Sequence, residues 1–397
     1  MQTLLTNSLP AASAEDWTHG GFGLYVHWPF CEAKCPYCDF NSHVVRDISQ
    51  RAWRQAYLKE LDHLAEVVPG RTVDSLFFGG GTPSLMDPET AAAIIAKVKT
   101  LWPVQDHFEA TLEANPTSVE ADKFRRFREA GINRISLGIQ ALNDTDLHRL
   151  GRLHNVGEAL KALDIARCNF DRISFDLIYA RQYQTPGQWQ QELGQALTFA
   201  ADHLSLYQLT IEPGTAFGAR FSRDRLPGLP CEDAQADMYE ITQDLCTDAG
   251  LDAYEVSNHA VPGSECRHNQ IYWRYGDYAG IGPGAHGRLT MASGRFATET
   301  ATDPQEWLND VRSAGSGIRC TAELSRADQA TECLMMGMRL SEGVLRDRLA
   351  DLGWTPGAEK LSELIDLGLL EADRNRMRAT RHGRVLLNSV LTELMSG

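Results

Sequence analysis

The first half of the chain alternates short apolar runs with longer stretches whose apolar positions recur at helical spacing. The strand-like runs are FGLYVHW, VDSLFFGGG, FEATLEANP, NRISLGIQAL, DRISFDLIYA and HLSLYQLTIEP. Helical spacing lies between them, over residues 51–68, 88–100, 120–130, 156–167 and 188–201. This alternation predicts βα units and a parallel sheet, hence an α/β fold. Six units favour an incomplete parallel (β/α)6 barrel, with a doubly wound open sheet as the alternative.

The pattern changes after residue 215, and we expect five parts in all. Residues 1–20 are a loose N-terminal tail and residues 21–215 are the barrel. Residues 216–300, with a helix over 233–249, elaborate the barrel and carry the segment HNQIYW. Residues 301–320 resemble a linker. Residues 321–397 predict three helices, a hairpin and a last helix, which together indicate a winged-helix-like C-terminal α+β domain.

Charge and hydropathy exclude several classes of protein. With 53 acidic against 38 basic residues, the formal net charge of -15 opposes binding to nucleic acid. No apolar run approaches the roughly 18 residues of a membrane span, so we expect no transmembrane segment. No basic region precedes Lys34, so we expect no secretory signal and a cytoplasmic protein. The arginines between Arg374 and Arg384 leave a peripheral membrane contact open.

Three cysteines crowd the loop after the first strand. Cys31, Cys35 and Cys38 have C-x3-C-x2-C spacing. Structural zinc sites usually pair their ligands in two separated clips, and this chain offers no second clip, although His27 or His43 could complete a zinc site. A four-iron cluster normally takes four thiolates, so three leave one iron open to a small molecule. The spacing favours the cluster over zinc.

Polar and glycine residues follow the next strands at the same end. Gly79-Gly80-Gly81-Thr82 follows the second strand, and Glu113, Gln140 and Asp176 stand at or near the ends of the third, fourth and fifth. The carboxyl ends of parallel barrel strands meet at one mouth, where such enzymes carry their chemistry. We therefore expect these residues to line one rim with the cysteines.

These motifs resemble the radical S-adenosylmethionine (SAM) family, whose C-x3-C-x2-C loop follows the first barrel strand. The resemblance implies a [4Fe-4S] cluster on Cys31, Cys35 and Cys38, with SAM on the open iron and cleaved to a 5'-deoxyadenosyl radical. The order and spacing are similar to those of oxygen-independent coproporphyrinogen III oxidase-like proteins. That similarity implies cofactor contacts by Tyr25, Tyr37, Gly80, Gly81, Thr82, Glu113, Gln140, Arg152 and Asp176.

This subfamily has an oxidase branch and a haem-chaperone branch. The oxidases carry a further cysteine two positions after the third ligand, where this chain has Phe40, and a longer N-terminal extension. The segment HNQIYW resembles the H-N-x-x-Y-W segment of the chaperone branch. Its His268 can ligate haem iron, and Tyr272 and Trp273 offer flat apolar faces to a macrocycle. Cys266 is a second candidate ligand.

We therefore predict a haem chaperone of radical SAM fold that delivers haem to acceptor apo-haemoproteins, either respiratory or haem-storage. The alternative is an oxygen-independent coproporphyrinogen III oxidase, which would make the protein an oxidoreductase. A radical enzyme acting on an unrelated substrate is a third hypothesis. The residues leave open whether SAM is cleaved in turnover, and whether the protein is a monomer or a homodimer.

Overall fold

The computed structural model describes residues 16–45, 47–116, 121–200 and 202–396. Six parallel strands stand side by side in chain order: β1 (Phe22–Trp28), β2 (Val73–Gly80), β3 (Val104–Ala114), β4 (Arg134–Gln140), β5 (Arg172–Tyr179) and β6 (His203–Gln208). Strand order that follows chain order is the arrangement of a barrel wall, whereas a doubly wound sheet reverses direction. The predicted α/β fold with six parallel strands is confirmed.

Helices follow the strands and cover the outside of the sheet. In the barrel they are α1 (Gln50–Val67), α2 (Pro88–Leu101), α3 (Ala121–Ala130), α4 (Asp144–Arg149), α5 (Val156–Asn169) and α6 (Pro186–Thr198). Capping boxes begin α5 at Asn155 and α6 at Thr185, because each side chain accepts a backbone N–H of the first helical turn. These local signals account for the close match between predicted and observed helices.

The sheet extends beyond the six strands at both edges. On the β6 side it adds β7 (Asn258–Ala260) and the two-residue strand Asp252–Ala253. On the β1 side it adds β8 (Asp277–Ile281), parallel to β1, and then β9 (His286–Met291), β10 (Gly294–Thr300) and β11 (Ile318–Glu323) in antiparallel order. Residues 216–300 also hold α7 (Ala216–Phe221), α8 (Glu232–Asp248) and α9 (Arg267–Trp273).

The segment expected to be a linker is part of this layer. Residues 301–320 hold α10 (Pro304–Ala314) and the beginning of β11. Trp307 on α10 is fully buried and stacks on Trp53 of α1, with ring centroids 5.1 Å apart. This segment therefore packs on the main core through one large tryptophan, which its two glycines and polar composition did not indicate, and its role as a linker stays a prediction.

The C-terminal residues form a second core beside the sheet. They hold α11 (Arg326–Gly337), α12 (Arg346–Asp351), α13 (Ala358–Asp366), α14 (Arg381–Val385), α15 (Leu387–Met395) and a small sheet of β12 (Val344–Leu345), β13 (Leu370–Ala372) and β14 (Arg376–Ala379). Arg348 ties this core to the N-terminal turn by two hydrogen bonds of 2.6 Å to Asp16.

The five-part division of the chain stays a prediction. None of the helices in the described ranges is long and apolar enough to cross a membrane.

Strand β1 shows how the barrel wall sorts its side chains. Trp28 packs edge-on against Trp53 of α1 at 6.0 Å, on the outer face. Tyr25 instead stacks on Phe77 of β2 at 6.2 Å, and its hydroxyl lies 3.2 Å from Nδ1 of His27. Since successive side chains of a strand point to opposite faces, Tyr25 and His27 face the barrel interior.

Candidate functional site

A cavity of about 380 Å³ opens at the carboxyl ends of the barrel strands. The predicted residues that line it are Cys31, Cys35, Tyr37, Cys38, Gly80, Gly81, Thr82, Glu113, Gln140, Arg152 and Asp176. They come from the loops or ends of five successive strands, which is the convergence expected of a parallel barrel. Two predicted site residues, Tyr25 and His268, do not line this cavity.

The three cysteines are free thiols, each partly exposed, and two of them receive hydrogen bonds. Thr82 Oγ1 lies 3.5 Å from Sγ of Cys31, and Nη1 of Arg152 lies 3.5 Å from Sγ of Cys35. Arg152 is held in place by the carbonyl of Gly138 at 2.8 Å and by the side-chain oxygen of Asn115. Burial raises the pKa of the Cys31 and Cys38 thiols, and the hydrogen bond from Thr82 opposes this rise at Cys31.

The surroundings of the thiols fit a cluster better than a single zinc ion. His27 Nε2 lies 2.9 Å from the carbonyl oxygen of Asn41, and His43 Nε2 lies 3.1 Å from its side-chain oxygen. Both ring nitrogens of His27 are therefore engaged by protein groups, since its Nδ1 lies 3.2 Å from the Tyr25 hydroxyl. Within the described ranges, no three cysteine, histidine or acidic side chains converge as the ligands of one ion would. Three thiols lining a wider space suit a polynuclear cluster.

The rim also has space and unpaired polar groups for a small ligand beside the thiols. A Cβ on Gly81 would lie 2.7 Å from the carbonyl of Phe30 and 3.0 Å from Sγ of Cys31, so only glycine lets the backbone come this close. Gln140 adopts a left-handed conformation at φ 73°, and its buried Oε1 has no hydrogen-bond partner among the described residues. A buried acceptor without a donor indicates a place for a ligand N–H or O–H.

Two buried carboxyl groups share this cavity. Burial and then the charge of the nearby Asp176 raise the pKa of Glu113 to about 8, and a hydrogen bond from the Gly80 N–H opposes this rise. Burial raises the pKa of Asp176 to about 6, against hydrogen bonds from Ser205 and Ser136, the latter at 3.2 Å. A cationic ligand, or one with hydroxyl groups, would lower both pKa values again, because it stabilises the two carboxylates in their charged form.

His268 and Tyr25 lie deeper in the barrel. The His268 ring stacks on Phe77 with centroids 4.6 Å apart and on Tyr25 at 5.8 Å. Its Nδ1 is buried with no hydrogen-bond partner in the described part of the chain. Burial lowers the pKa of His268 to about 4, so the imidazole is neutral at physiological pH. Tyr25 therefore separates His268 from His27 and from the strand ends.

The HNQIYW segment forms helix α9 at the opposite end of the barrel from the thiols. The backbone N–H of Arg267 donates to Glu109 at 2.9 Å, and Glu109 also pairs with Arg172, the first residue of β5. The thiol of Cys266 donates to the same carboxylate at 3.6 Å, which occupies this second candidate for a haem ligand. The sequence could not place α9 there, because Glu109 lies 158 positions away from Arg267.

Several other residues line the cavity without having been predicted as ligand contacts. Asn115 donates to Thr82 Oγ1 at 2.9 Å and accepts from Arg152, so it orients two groups beside the thiols. Ser136 and Tyr207 line the wall, and Phe40 lies at the rim with 56% of its surface exposed. Asn115 directly follows the strand that holds Glu113, so its position at a strand end could have indicated a role in the site. Ser136 and Tyr207 have no comparable feature in the sequence.

Comparisons of sequence agree with these features. The family model of the Radical SAM superfamily matches residues 25–192, and that of the HemN C-terminal domain matches residues 324–386. Among curated proteins, the chain is 39% identical to the mitochondrial radical S-adenosyl methionine domain-containing protein 1 of Mus musculus, over 94% of the chain and 87% of that protein. It is 38% identical to heme chaperone HemW of Escherichia coli (93% and 96%) and 31% identical to HemW of Bacillus subtilis (92% and 97%).

Among solved structures, coproporphyrinogen III oxidase (HemN) from Escherichia coli superposes with a TM-score of 0.78, over 98% of this chain and 93% of that one. Their sequences are 21% identical, so the likeness is one of fold. The shared fold covers the barrel, its extra strands and the C-terminal core.

Proposed function

Because the chain belongs to the radical SAM superfamily and, within it, to the family of the heme chaperones HemW, we propose that it binds haem and delivers it to acceptor apo-haemoproteins. The main support is that its similarity to the curated chaperones runs from end to end, with 93% of the chain and 96% of the Escherichia coli protein aligned. A shared barrel alone would not support this, since one fold hosts many functions.

We propose further that Cys31, Cys35 and Cys38 hold a [4Fe-4S] cluster and that SAM occupies the cavity beside it. When bound, the reduced cluster supplies the electron that can cleave SAM. Arg152 and Thr82 donate hydrogen bonds to the thiolates, which holds their negative charge in place.

The remaining rim residues complete this SAM site. Gly80 and Gly81 stand where a Cβ would lie within 3.0 Å of neighbouring protein atoms, so their backbone stays close against the cysteine loop, and Gln140 presents an unpaired acceptor. Glu113 and Asp176 accept hydrogen bonds from cationic or hydroxyl groups of SAM, and Tyr37 packs beside Cys35 at the edge of the cavity. Tyr25 lies deeper in the barrel and supports the site through its contact with His27.

We propose His268 as the haem-iron ligand, with Tyr272 and Trp273 against the macrocycle. The support is the neutral imidazole with an unpaired Nδ1 and the partly exposed pair of rings, whose centroids lie 5.0 Å apart. Because the His268 ring is stacked on Phe77, a macrocycle reaches its nitrogen only if α9 shifts away from the barrel.

Coproporphyrinogen III oxidation is the alternative, and Phe40 is the residue that argues against it. Its ring takes the place of the fourth cysteine of the oxidases and is largely exposed at the cavity. A phenyl ring supplies neither a thiolate nor a proton. The likeness to HemN is one of overall fold and does not extend to the residue at this position. It therefore does not favour the oxidase.

We also propose that the acceptors are respiratory or haem-storage proteins and that the protein is cytoplasmic. It binds no nucleic acid and is a monomer or a homodimer. Membrane contact through the arginines of 374–384 has little support. Arg378 pairs with Glu371 at 2.6 Å, and Arg381 pairs with Glu240 and Asp244 at 2.6 Å each. Carboxylates thus neutralise part of the charge that anionic lipid would attract.

The test is anaerobic reconstitution with iron and sulfide, followed by separate incubations with haem, or with coproporphyrinogen III plus SAM and a reductant. Absorption spectra score haem binding, and chromatography scores the porphyrin products. We expect a stable haem complex, transfer of that haem to an apo-cytochrome, and no decarboxylated product. Catalytic formation of protoporphyrinogen IX without stable haem binding would establish the oxidase instead.

A further inference from the structure

A line of hydrogen bonds runs through the barrel wall from the cavity at the strand ends to helix α9. We call it the relay, and its members in order are Asp176, Ser205, Ser174, His203, Tyr254 and Asn269. The middle of the relay is shielded from solvent, since Ser174, His203 and Ser205 are each less than 5% exposed. Neither Ser174 nor His203 lines the cavity or belongs to α9, so the site chemistry does not account for them.

The contacts are continuous from one end to the other. Ser205 hydrogen-bonds to Asp176, and its Oγ lies 3.5 Å from Oγ of Ser174. Ser174 Oγ lies 2.7 Å from His203 Nδ1, and His203 Nε2 lies 2.9 Å from the hydroxyl of Tyr254. That hydroxyl accepts a hydrogen bond from Nδ2 of Asn269 at 3.1 Å. Asn269 is the neighbour of His268 on α9.

The two ends favour one direction for the hydrogen bonds between them, and Tyr207, which also hydrogen-bonds to Ser205, is a side branch of the relay. Asn269 donates to Tyr254, so the phenol hydrogen is left for Nε2 of His203. His203 then carries its proton on Nδ1 and donates to Ser174, and the two serines pass the direction on to an ionised Asp176, which can only accept. Burial, and next the charge of Arg134, lower the pKa of His203, which keeps this ring neutral as the relay requires.

The relay has a second arrangement, and the state of Asp176 selects between the two. If a bound ligand takes up the oxygen of Asp176 that accepts from Ser205, the serine hydroxyls can reverse, and His203 then takes the Nε2–H tautomer. The phenol hydrogen of Tyr254 then loses its acceptor within the relay, so Tyr254 and Asn269 must move. Two discrete arrangements biased from both ends are the physical requirement for coupling between distant sites.

We propose that the relay couples the two sites, so that a ligand bound at Asp176 sets the position of α9 and thereby the affinity of His268 for haem. His203 is the positioning residue at its centre. This inference rests on the proposed function, since SAM is the ligand placed at Asp176 and haem the ligand placed at His268. The coupling is reciprocal, so haem changes the affinity for SAM by the same factor.

The test measures the dissociation constant of haem with and without saturating SAM, in the reconstituted full-length protein. The variant is Ser174→Ala, which breaks the relay at a residue that touches neither site. Thr90→Val is the matched control, because Thr90 is a buried residue of α2, outside the barrel, whose hydroxyl has no partner among the described residues. Thermal unfolding confirms that both variants fold.

In the wild type and in Thr90→Val, we expect SAM to change the haem dissociation constant about fivefold or more, within the usual range of coupling between sites. In Ser174→Ala, each ligand still binds and the change falls below about twofold. An unchanged dissociation constant in the wild type, or full coupling in Ser174→Ala, overturns the proposal.

A second measurement does not depend on haem. Nitrogen-15 spectra of histidine-labelled protein, with the His203 signals assigned from His203→Gln, report which ring nitrogen carries the proton. Without SAM we expect Nδ1–H at His203 and with SAM bound Nε2–H, and the same tautomer in both states overturns the relay. If the wild type fails to bind haem at all, the proposed function falls, while this spectrum still judges the relay on its own.

Discussion

The carboxylate of Glu60 on α1 accepts the indole N–H of Trp307, 247 positions later, at 3.1 Å from each of its oxygens. The same carboxylate accepts the backbone N–H of Gly282 at 2.9 Å and of Gly317 at 2.7 Å. One buried acidic side chain therefore fastens α1 to the turn after β8 and to the segment before β11. The extra strands are held on the barrel by this junction.

Replacing Glu60 tests that junction. Glu60→Ala leaves three buried donors unpaired, so we expect the free energy of unfolding to fall by about 3 kcal/mol or more. Urea denaturation measures it, with Glu66→Ala on the exposed face of α1 as the control. A loss below about 1 kcal/mol would show that the three N–H groups find other partners.

The same residue predicts a pH dependence of stability. Burial raises the pKa of Glu60 to about 7 in the folded protein, above its ordinary value of 4.5. The folded state therefore holds the proton more tightly, and the contribution of Glu60 to stability falls as pH rises from about 4.5 to 7. We expect the wild type to lose up to about 3 kcal/mol relative to Glu60→Gln across this range, measured by urea denaturation at each pH. A constant difference would contradict the raised pKa.

Arg152 is predicted to retain the cluster. Its guanidinium bonds to Sγ of Cys35 and to Gly138, a forked arrangement that the single ammonium of lysine does not reproduce. For Arg152→Lys we expect roughly tenfold weaker retention of iron, in line with other groups that hydrogen-bond to metal ligands. Iron and sulfide analysis after dialysis against a chelator measures this. Arg126→Lys, at a surface pair with Glu89, is the control and should match the wild type.

The Glu113 carboxyl predicts how SAM affinity responds to pH. Its pKa of about 8 means that it is mostly protonated at pH 7, and a cationic ligand prefers its ionised form. We expect anaerobic calorimetry to show SAM affinity rising by roughly tenfold from pH 6 to pH 8 in the wild type. In Glu113→Gln the rise should shrink to about twofold, whereas exposed Glu129→Gln should behave as the wild type. A steep rise retained in Glu113→Gln would assign the titration to another group.

A variant of His268 tests the contribution of this residue to stability separately from its role in haem binding. Its pKa of about 4 lies below the ordinary 6.5, so the stability it contributes is complete above pH 6.5 and is lost as pH falls toward 4. His268→Phe keeps the stack on Phe77 and removes the unpaired Nδ1. At pH 5 we therefore expect the variant to exceed the wild type in unfolding free energy by up to about 2 kcal/mol.

The same variant should lose haem binding at pH 7, scored by the absorption spectrum of the complex. His148→Phe, a change at an exposed histidine, is the matched control and should bind haem normally. Retained haem affinity in His268→Phe would move the iron ligand to another residue, while the stability result would still stand.

The features that depend on neighbours along the chain could be predicted from the amino-acid sequence. Alternating strands and helices follow from local periodicity and from caps such as Asn155, and the rim follows because parallel strands end on one side. The cysteine spacing pointed to the metal centre for the same reason, since all three thiols lie within eight residues of one loop.

The features that depend on distant partners became visible in the folded chain and not before. The docking of Trp307 on Glu60, the parallel pairing of β8 with β1 and the burial of His268 on Phe77 each join residues roughly 190 to 255 positions apart. Apolar periodicity carries no record of such pairings, because a buried carboxylate or histidine has the same letter as an exposed one. Their partners come from packing, where each buried polar group must find its hydrogen bond.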